Sequence, residues 1–478
     1  MKKALMFILA IFLFSIHNTF LGQTYFQKVY NAPLDQEAQD VLPTSDGGYI
    51  FVGYTTTNIL NDCDILILKA DANGNEVWRK TYGGNKPDFP YHFTATTDGN
   101  YMLAGYSYSY GGGDMDILVM KFDPSGNILW SKTYGGNGND MGRDVIPTSD
   151  GNYMVVGSSN SPGLGDQNAN LIKIDGAGTV LWSKVFGSSL ADYGDCVKQT
   201  NDGGYILVGQ TFGYGTTEGA AWLVKLNGNG DTTWTKRFDG IHNDEGYYIT
   251  VASDGGYVFL VRDSSNAGQD IDSRIIKTDA SGNVLWNKVY GGNRKDTPKM
   301  IQNTSDGGYI VGAISRSFGW INPDMWILKC NSAGDTLWTK HYGGSQNEHC
   351  YVVREMPDGS YIACGKTASY GPDFDPIFLK LSANGTFVGI NEQTLAEKDV
   401  ILFPNPSAGK VYLNIKGHEF KELKVIDALG KAVNCNIIRE LSNEIQIEFQ
   451  QQTPGVYFIS IMLASGTITK RLIVNKTL

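Results

Sequence analysis

Proline, closely spaced cysteines and basic stretches are the features that this chain has least of. Only 15 of its 478 residues are proline while 58 are glycine, which excludes a collagen and a proline-rich disordered chain. The formal net charge of −10, without a basic run, argues against nucleic acid or an anionic membrane as a partner. Aromatic residues make up 12% of the chain and helix-favouring runs are few, which indicates an all-β protein.

The six cysteines are scattered and show no Cys-x-x-Cys spacing. Cys350 and Cys364 fall on neighbouring predicted strands, so a disulfide between them is one alternative. A chain of this size does not need a disulfide framework. The other alternative is that all six are free thiols that behave as small apolar side chains.

The first 22 residues have the features of a secretory signal peptide. Lys2 and Lys3 precede an apolar run from Ala4 to Ile16 that is short for a membrane span. We expect cleavage after Gly22. No second long apolar stretch follows, so we expect no transmembrane segment in the mature chain.

One motif recurs every 52 residues along most of the chain. The Asp of an Asp-Gly-x-Tyr sequence stands at Asp46, Asp98, Asp150, Asp202, Asp254, Asp306 and Asp358. A Trp-x-Lys sequence follows the same spacing at Trp78, Trp130, Trp182, Trp234, Trp286 and Trp338. Each unit holds four candidate strands, in one copy near Val145–Thr148, Tyr153–Gly157, Asn170–Ile174 and Trp182. Four antiparallel strands per repeat predict a seven-bladed β-propeller over residues 24–388.

The two ends of the repeat region predict how the ring closes. The segment Phe26–Tyr30 copies a fourth strand, whereas the seventh unit lacks its own Trp-x-Lys sequence. The N-terminal strand is therefore expected to complete the last blade and to cover its open edge. An open solenoid of stacked sheets is the alternative.

The repeated residues have expected structural roles. The Asp-Gly pairs predict type I′ turns, and the segment around Asp46 resembles the Asp-box hairpin of sialidases, which implies a turn and not an activity. We expect the Trp series to pack between blades. A Lys also repeats in every third strand, and these side chains are expected to snorkel on outer strands, at Lys69, Lys121, Lys173, Lys225, Lys277, Lys329 and Lys380.

The composition and periodicity of the chain change after the repeats. Residues 389–399 are polar and aperiodic and are interpreted as a linker. Residues 400–478 contain short alternating strands such as Val411–Ile415, which predict a small β-sandwich.

Four motifs in this segment occur in a fixed order. They are Phe-Pro-Asn-Pro-x-x-Gly (403–409), Lys-Val-x-Asp-x-x-Gly (424–430), Pro-Gly-Val-Tyr-Phe (454–458) and Lys-Arg-Leu-Ile-Val (470–474). The combination resembles the type A C-terminal sorting domain of the type IX secretion system. The residues that carry the resemblance are Pro404, Asn405, Pro406, Gly409, Asp427, Gly430, Gly455, Tyr457 and Lys470.

The resemblance implies an Ig-like sandwich and export in a Bacteroidota-type bacterium. Members of this family are recognised by an outer-membrane translocon, and a sortase-like protease usually removes the domain. The translocon and this protease are thus the implied partners, and the implied location is secreted or at the cell surface. An ordinary accessory sandwich domain is the alternative.

No constellation of residues indicates catalysis. The histidines of the mature chain lack zinc-ligand spacing, and neither a Gly-x-Ser-x-Gly motif nor a phosphate-binding loop occurs. The sequence therefore favours a binding or adhesion module for a glycan or a protein over an enzyme. A propeller hydrolase or lyase that acts on glycans and a purely structural surface protein are the alternatives.

The variable connections predict where a ligand binds. In each unit the tight turns repeat, whereas the connections on the opposite face differ from copy to copy. Aromatic side chains on that face would bury the apolar faces of sugars. The candidate ligand-binding residues are Tyr106, Tyr108, Tyr110, Tyr214, Phe318, Trp320 and Tyr370.

Acidic residues also repeat on the variable face. One series begins the first strands, at Asp88, Asp140, Asp192, Asp244, Asp296 and Glu348. A partial second series precedes the third strands, at Asp64, Asp116, Asp272, Asp324 and Asp375. Turn capping is one alternative, in which the carboxylates accept local N–H groups. Calcium is the other, because hard oxygen ligands suit this ion. No other cofactor is indicated.

Overall fold

The computed structural model of the chain describes residues 25–56, 62–161, 166–214, 218–238, 243–266, 270–317, 322–387, 400–403, 407, 410–415, 420–427, 433, 435–439, 444–449, 455–463 and 466–474. The predicted signal peptide (1–22) and the predicted linker (389–399) lie outside these ranges. Every regular element in the described ranges is a β-strand, which confirms the prediction of an all-β chain. Over the same ranges, no helix has the length and apolarity needed to cross a membrane.

The repeats form seven antiparallel sheets of four strands, the blades. Strand β1 (Phe26–Val29) belongs to blade 7. Blade 1 contains β2 (Gln36–Pro43), β3 (Tyr49–Thr56), β4 (Cys63–Ala70) and β5 (Glu76–Tyr82); blade 2 contains β6 (Asp88–Ala95), β7 (Tyr101–Ser107), β8 (Asp116–Phe122) and β9 (Ile128–Tyr134); blade 3 contains β10 (Asp140–Pro147), β11 (Tyr153–Ser159), β12 (Asn168–Ile174) and β13 (Val180–Phe186); blade 4 contains β14 (Asp192–Gln199), β15 (Tyr205–Thr211), β16 (Ala220–Leu226) and β17 (Thr232–Phe238). Blade 5 contains β18 (Glu245–Val251), β19 (Tyr257–Asn266), β20 (Asp270–Thr278) and β21 (Val284–Tyr290); blade 6 contains β22 (Asp296–Asn303), β23 (Tyr309–Ser315), β24 (Asp324–Cys330) and β25 (Thr336–Tyr342); blade 7 contains β26 (Glu348–Glu355), β27 (Tyr361–Thr367), β28 (Asp375–Leu381) and β1.

The first strand of each blade lines the centre of the ring, because the first strands of adjacent blades contact one another all the way round. The ring is closed by β1, which pairs antiparallel with β28 from Phe26–Lys380 to Val29–Ile377. Strand β2 also contacts β26, β27 and β28, so blade 1 packs on blade 7. The prediction of a closed seven-bladed propeller is confirmed, and an open solenoid is excluded.

The Asp-Gly turns differ from the predicted type I′ geometry. In blade 1, Gly47 N–H donates to the Thr44 carbonyl and Thr44 N–H donates to the Gly48 carbonyl, each at 2.9 Å. Gly47 has a φ of +80°, whereas Asp46 is not among the residues with positive φ. The carboxylate of Asp46 accepts hydrogen bonds from the Gly48 N–H at 3.1 Å and from the Thr44 hydroxyl, and these bonds stabilise the loop. The turn is therefore a three-residue loop that ends on a left-handed glycine.

The lysines of the third strands also differ from expectation. Lys69 is buried, and its Nζ lies 2.8 Å from Asp46 Oδ1 in the same blade. The same pair recurs at Lys121–Asp98, Lys173–Asp150, Lys225–Asp202, Lys277–Asp254 and Lys329–Asp306. These lysines do not snorkel, because a buried ammonium group needs the hairpin carboxylate as its partner.

Each fourth strand contacts the next blade through an aromatic-x-Lys-x-aromatic sequence, which is Trp-x-Lys-x-Tyr in blades 1, 2, 5 and 6. In blade 1 the Trp78 ring packs so closely on Gly126 of blade 2 that a Cβ there would lie 2.6 Å from the ring. Lys80 Nζ donates to Asn127 Oδ1 at 2.8 Å, and the Tyr82 hydroxyl donates to the Gly126 carbonyl. We call this contact the blade latch. It gives the Trp series the predicted role of packing between blades.

The C-terminal strands form two further sheets. One contains β29 (Val400–Phe403), β30 (Lys410–Ile415), β33 (Glu444–Phe449) and β32 (Cys435–Arg439), and the other contains β31 (Phe420–Asp427), β34 (Gly455–Leu463) and β35 (Gly466–Val474). Side chains of both sheets share one apolar core, including Val411, Ile447, Ile459 and Leu472. Two sheets around one core make a β-sandwich, as predicted.

The six cysteines are free thiols, and five of them are buried. Cys350 and Cys364 lie on the paired strands β26 and β27 but form no disulfide. Burial raises the pKa of the Cys350 thiol to about 12. The free-thiol alternative is therefore the one that the structure shows.

Candidate functional site

A cavity of about 620 Å³ opens at the centre of the ring. Its walls come from the beginnings of the first strands, such as Glu37 and Phe89, and from the ends of the second strands, such as Tyr106 and Lys366. In every blade the variable connections leave from these strand ends. The cavity thus lies on the variable face.

A β-bulge interrupts the first strand of every blade at the same repeat position. In blade 2 the pairing register shifts between Pro90 and His92, which leaves Tyr91 as the bulged residue. A bulge turns its side chain out of the regular alternation. The residues at this position differ from blade to blade: Gln39, Tyr91, Arg143, Asp195, Tyr247, Lys299 and Tyr351. Five of these seven line the cavity, with Arg143 and Asp195 the exceptions.

Blades 1 and 2 contribute an aromatic wall to the cavity. The ring centroids of Tyr54 and Phe89 lie 5.0 Å apart, those of Phe89 and Tyr106 5.2 Å, and those of Tyr91 and Tyr106 5.7 Å. We call Tyr54, Phe89, Tyr91 and Tyr106 the aromatic sector. The guanidinium of Arg143 lies 4.4 Å from the centroid of Tyr91, which fixes the orientation of that ring.

Blades 5 and 6 contribute positive charge. Arg262, Lys295, Lys299 and Arg316 line the same cavity, and we call them the cationic sector. Arg262 forms an ion pair with Glu245 at 3.5 Å, and Lys299 lies 5.1 Å from the ring centroid of Tyr247.

Burial, with a smaller effect of the neighbouring positive charges, lowers the pKa of three groups in the cavity. Burial lowers the pKa of Lys299 to about 8, and Arg143, Arg262 and Lys295 act in the same direction against Glu245. Burial also lowers the pKa of Lys295, with Arg262 and Arg316 adding to the effect. Since the cavity also holds the pKa of His349 at about 3, through burial and the charges of Lys366, Lys299 and Arg316, this imidazole is neutral at physiological pH.

The carboxylate of Glu37 is occupied by neighbouring side chains. Its Oε1 accepts a hydrogen bond from Lys366 Nζ at 2.5 Å, and its Oε2 accepts one from the Tyr351 hydroxyl at 2.7 Å. Gln39 Nε2 lies 3.2 Å from the same Oε2. Glu37 therefore anchors this side of the cavity and does not neutralise the cationic sector.

The predicted ligand-binding residues are only partly brought together. Tyr106 lines the cavity. Tyr108 packs against Tyr106, with the two ring centroids 5.9 Å apart. Tyr110 and Tyr214 are 47% and 49% exposed, and their hydroxyls donate to the carbonyls of Gly83 and Gly187. These two, together with the exposed Tyr370, do not line the cavity, while Phe318 and Trp320 lie outside the described residues.

The first acidic series is buried and accepts local hydrogen bonds. Asp140, for example, accepts the Gly136 N–H at 2.9 Å and the Ser161 hydroxyl at 2.5 Å. Comparable local backbone N–H groups reach Asp88, Asp192, Asp244, Asp296 and Glu348. This is capping geometry. Within the described ranges no three His, Cys, Asp or Glu side chains are grouped to hold a metal ion, and calcium stays a prediction.

The second acidic series lies beside the first, at the junction between blades. A Cβ on Gly343 would lie 2.2 Å from Asp324 Oδ1 and 2.6 Å from Glu348 Oε2, so both carboxyl groups approach this glycine. Asp324 is 6% exposed, and its Oδ1 lacks a hydrogen-bond partner among the described residues. Burial and the charge of Glu348 raise the pKa of Asp324 to about 6.

The cavity opens on the face that carries the variable connections, but most of the predicted residues do not line it. The predicted aromatic residues lie mostly in variable loops, whereas most of the cavity lining comes from strands. One signal was available: the bulge position holds five residue types over seven copies, while the position two residues later is always apolar, as in Val41 and Phe93. The repeat alone did not reveal a bulge at that position.

Part of the sorting sequence lies in the described sandwich. Asp427 ends β31, Gly455 begins β34, and Lys470 lies in β35. Tyr457 is buried, with its ring centroid 5.1 Å from that of Phe449. Pro404, Asn405, Pro406, Gly409 and Gly430 lie outside the described residues.

Residues 401–475 match the family of secretion system C-terminal sorting domains. The match confirms the resemblance drawn from the motifs, and it identifies the chain as one exported by the type IX secretion system, to the medium or the cell surface. A sorting tail of this kind implies interaction with the secretion system. None of the curated proteins matches the chain.

Solved propellers resemble the chain only distantly. The β-propeller domain of the Trilobed protease from Pyrococcus furiosus is 10% identical with a TM-score of 0.44, over 77% of this chain and 100% of that one. The WD40 domain of Pan2 from Neurospora crassa is 11% identical with a TM-score of 0.46, over 75% of this chain and 95% of that one. At these scores the likeness adds nothing to the strand topology itself.

Proposed function

We propose that this protein is a secreted or cell-surface binding module that takes an extracellular glycan into the central cavity of its propeller. The aromatic sector carries the proposal, because four rings line one continuous wall of the cavity. Aromatic faces bury the apolar faces of sugar rings, while nearby polar side chains bond the hydroxyl groups. Variable connections around the same mouth supply the differences that specificity needs.

The proposal includes the route to the outside. Residues 1–22 act as a signal peptide for the inner membrane, and residues 400–478 are recognised by the outer-membrane translocon of a Bacteroidota-type bacterium. A sortase-like protease then removes the sandwich, and residues 389–399 serve as the linker that it cuts. The match over residues 401–475 supports this route.

A glycan array probed with the secreted chain tests the binding function, with calcium and with a chelator. Tyr91→Ala and Tyr106→Ala remove two rings of the aromatic sector and should abolish the strongest signals. Tyr108→Ala and Tyr214→Ala are the matched controls on the rim. Loss in the rim pair alone would move the site to the loops, and unchanged binding by both pairs would refute a site on this face. A signal lost only with the chelator would support calcium in the acidic series.

A glycan-active hydrolase or lyase is the second candidate, favoured by Asp195. This bulged residue lies 3.7 Å from Arg143, and burial together with the charge of Glu245 raises its pKa to about 7, against the effect of Arg143. A carboxyl group with such a pKa can donate or accept a proton near neutrality. Incubation of the bound glycans with the wild type and with Asp195→Asn tests this candidate. Cleavage by the wild type alone would show that the protein is an enzyme that uses Asp195.

A further inference from the structure

We propose that the cationic sector of the central cavity binds the acidic groups of a polysaccharide, either the carboxylates of a polyuronate or the sulfate esters of a sulfated glycan. This inference rests on the glycan-binding function proposed above and names the chemical class of its ligand. It assigns a role to residues that the aromatic contacts leave unused.

The cavity concentrates positive charge in a protein that is acidic as a whole. The whole chain carries a formal charge of −10, yet four cationic side chains line one side of a single cavity. Arg262 is paired with Glu245, but within the described ranges Lys295, Lys299 and Arg316 form no ion pair within 4.0 Å. Three cations without a carboxylate partner in a confined space attract a polyanion.

The acidic side chains near the cavity do not pair with these cations. Glu37 is held by Lys366 and the Tyr351 hydroxyl on its own side of the cavity. The raised pKa of Asp195 means that this group carries only part of a negative charge at neutral pH. The remaining carboxylate near these side chains, Glu245, is held in an ion pair with Arg262 at 3.5 Å.

The aromatic and cationic sectors face one cavity from different sides. The aromatic sector comes from blades 1 and 2 and the cationic sector from blades 5 and 6, so the seven-bladed ring places them on different sides of one cavity. A ligand that uses both needs a ring with an apolar face and an anionic group that projects from it. Uronate and sulfated sugars have both features, whereas neutral sugars lack the anion and phosphate or sulfate ions lack the ring.

Binding of three polymers to the secreted full-length chain tests the inference: polygalacturonate, dextran sulfate and unmodified dextran. We expect one of the two acidic polymers to bind at least ten times more tightly than dextran, and the preferred one identifies carboxylate or sulfate as the ligand group. Raising sodium chloride from about 0.05 to about 0.5 M should weaken that binding about tenfold or more, because salt screens exposed charges.

Variants separate this site from the rest of the surface. Lys299→Met and Arg316→Ala should each weaken binding of the acidic polymer by about tenfold, with melting temperatures close to that of the wild type. Lys132→Gln is the matched control, since it removes one positive charge from the exposed outer strand of blade 2 and should bind as the wild type does.

The outcomes distinguish this inference from the broader function. Equal, salt-insensitive binding of acidic and neutral polymers that Tyr91→Ala abolishes would refute the cationic sector and leave glycan binding intact. Binding of acidic polymers that Lys132→Gln weakens as much as Lys299→Met would refute a specific site. Failure to bind any of the three polymers, together with a blank glycan array, would overturn both proposals.

Discussion

At the scale of single residues, the buried carboxyl group of Asp324 lowers the stability of the protein at neutral pH. Its carboxyl group is buried beside Glu348 and keeps its proton up to about pH 6, while the same group in an unfolded chain loses it near its ordinary value of 3.8. Stability therefore falls as pH rises from about 4 to about 6, and the loss is complete above that range. Blade 3 avoids the cost, because the equivalent position holds Asn168, whose Nδ2 donates to the Ser188 carbonyl at 3.0 Å.

Asp324→Asn should consequently stabilise the protein at pH 7 to 8 and have little effect near pH 3.5. We expect a gain of roughly 1–3 kcal/mol, since each unit of pKa shift corresponds to about 1.4 kcal/mol. Urea unfolding at several pH values measures it. A variant that is less stable than the wild type at pH 8 would contradict the assignment.

Asp306→Asn is the control of opposite sign. Hydrogen bonds from Lys329, Thr304 and Gly308 outweigh burial and lower the pKa of Asp306 to about 2. Its contribution is present above about pH 4 and is lost as pH falls through the folded value. This variant should therefore be destabilised at pH 7, and its difference from the wild type should vanish toward pH 2.

At the scale of elements, the blade latch joins each fourth strand to the following blade. Trp182 packs on Gly230, where a Cβ would lie 2.7 Å from the ring. Trp182→Ala should cost about 2–3 kcal/mol, less than a fully buried tryptophan because the ring is only partly buried. Leu181→Ala, one residue earlier and 50% exposed, should change stability by less than about 0.5 kcal/mol.

Thermal unfolding and glycan binding, measured on the same samples, check this prediction. Trp182→Ala should melt earlier and bind as the wild type does while folded, since the latch lies on the outer strands. A loss of binding without a loss of stability would place the tryptophans in the ligand site.

The accuracy of prediction from the sequence differs from one structural element to another. The 52-residue spacing predicted strands, blades and closure, because period and turn residues are local signals that the fold repeats seven times. The turn type was wrong, because the Asp46 carboxylate bonds its own loop. The third-strand lysines were misjudged, because a periodic Lys does not reveal its buried Asp partner. The cavity was not predicted, because the repeat pattern does not show the β-bulges. The aromatic and cationic sectors also face each other only when the seven blades form a ring.

At the scale of the whole molecule, one short strand decides whether the ring is closed. Strand β1 supplies the fourth strand of blade 7, and its Phe26 ring packs on Phe378 with centroids 5.3 Å apart. Deletion of residues 24–31 should uncover β28 and lower the melting temperature of the ring as a unit, as calorimetry would show. A truncated chain that melts like the intact one would disprove closure by this strand.

Export gives a second prediction at this scale. Removal of residues 400–478 should leave the propeller folded but retained in the periplasm, because the sorting domain is the part that the secretion system recognises. Fusion of the same residues to a foreign protein with a signal peptide should send that protein outside, as fractionation and immunoblotting would show. Secretion of the truncated chain at normal levels would contradict a sorting role.

The closing strand also sets an order of events in time. Ala32 N–H donates to Asp375 Oδ1 at 2.9 Å across 343 residues. The N-terminal strand is synthesised first, but it can pair only after nearly the whole ring has been synthesised. During synthesis the N-terminal parts of a chain fold first, and a contact between residues so far apart in sequence forms late. The sorting domain follows directly behind the last blade. Because the sorting domain lies C-terminal to every strand of the ring, a chain that carries the domain also carries every strand that the closed ring needs.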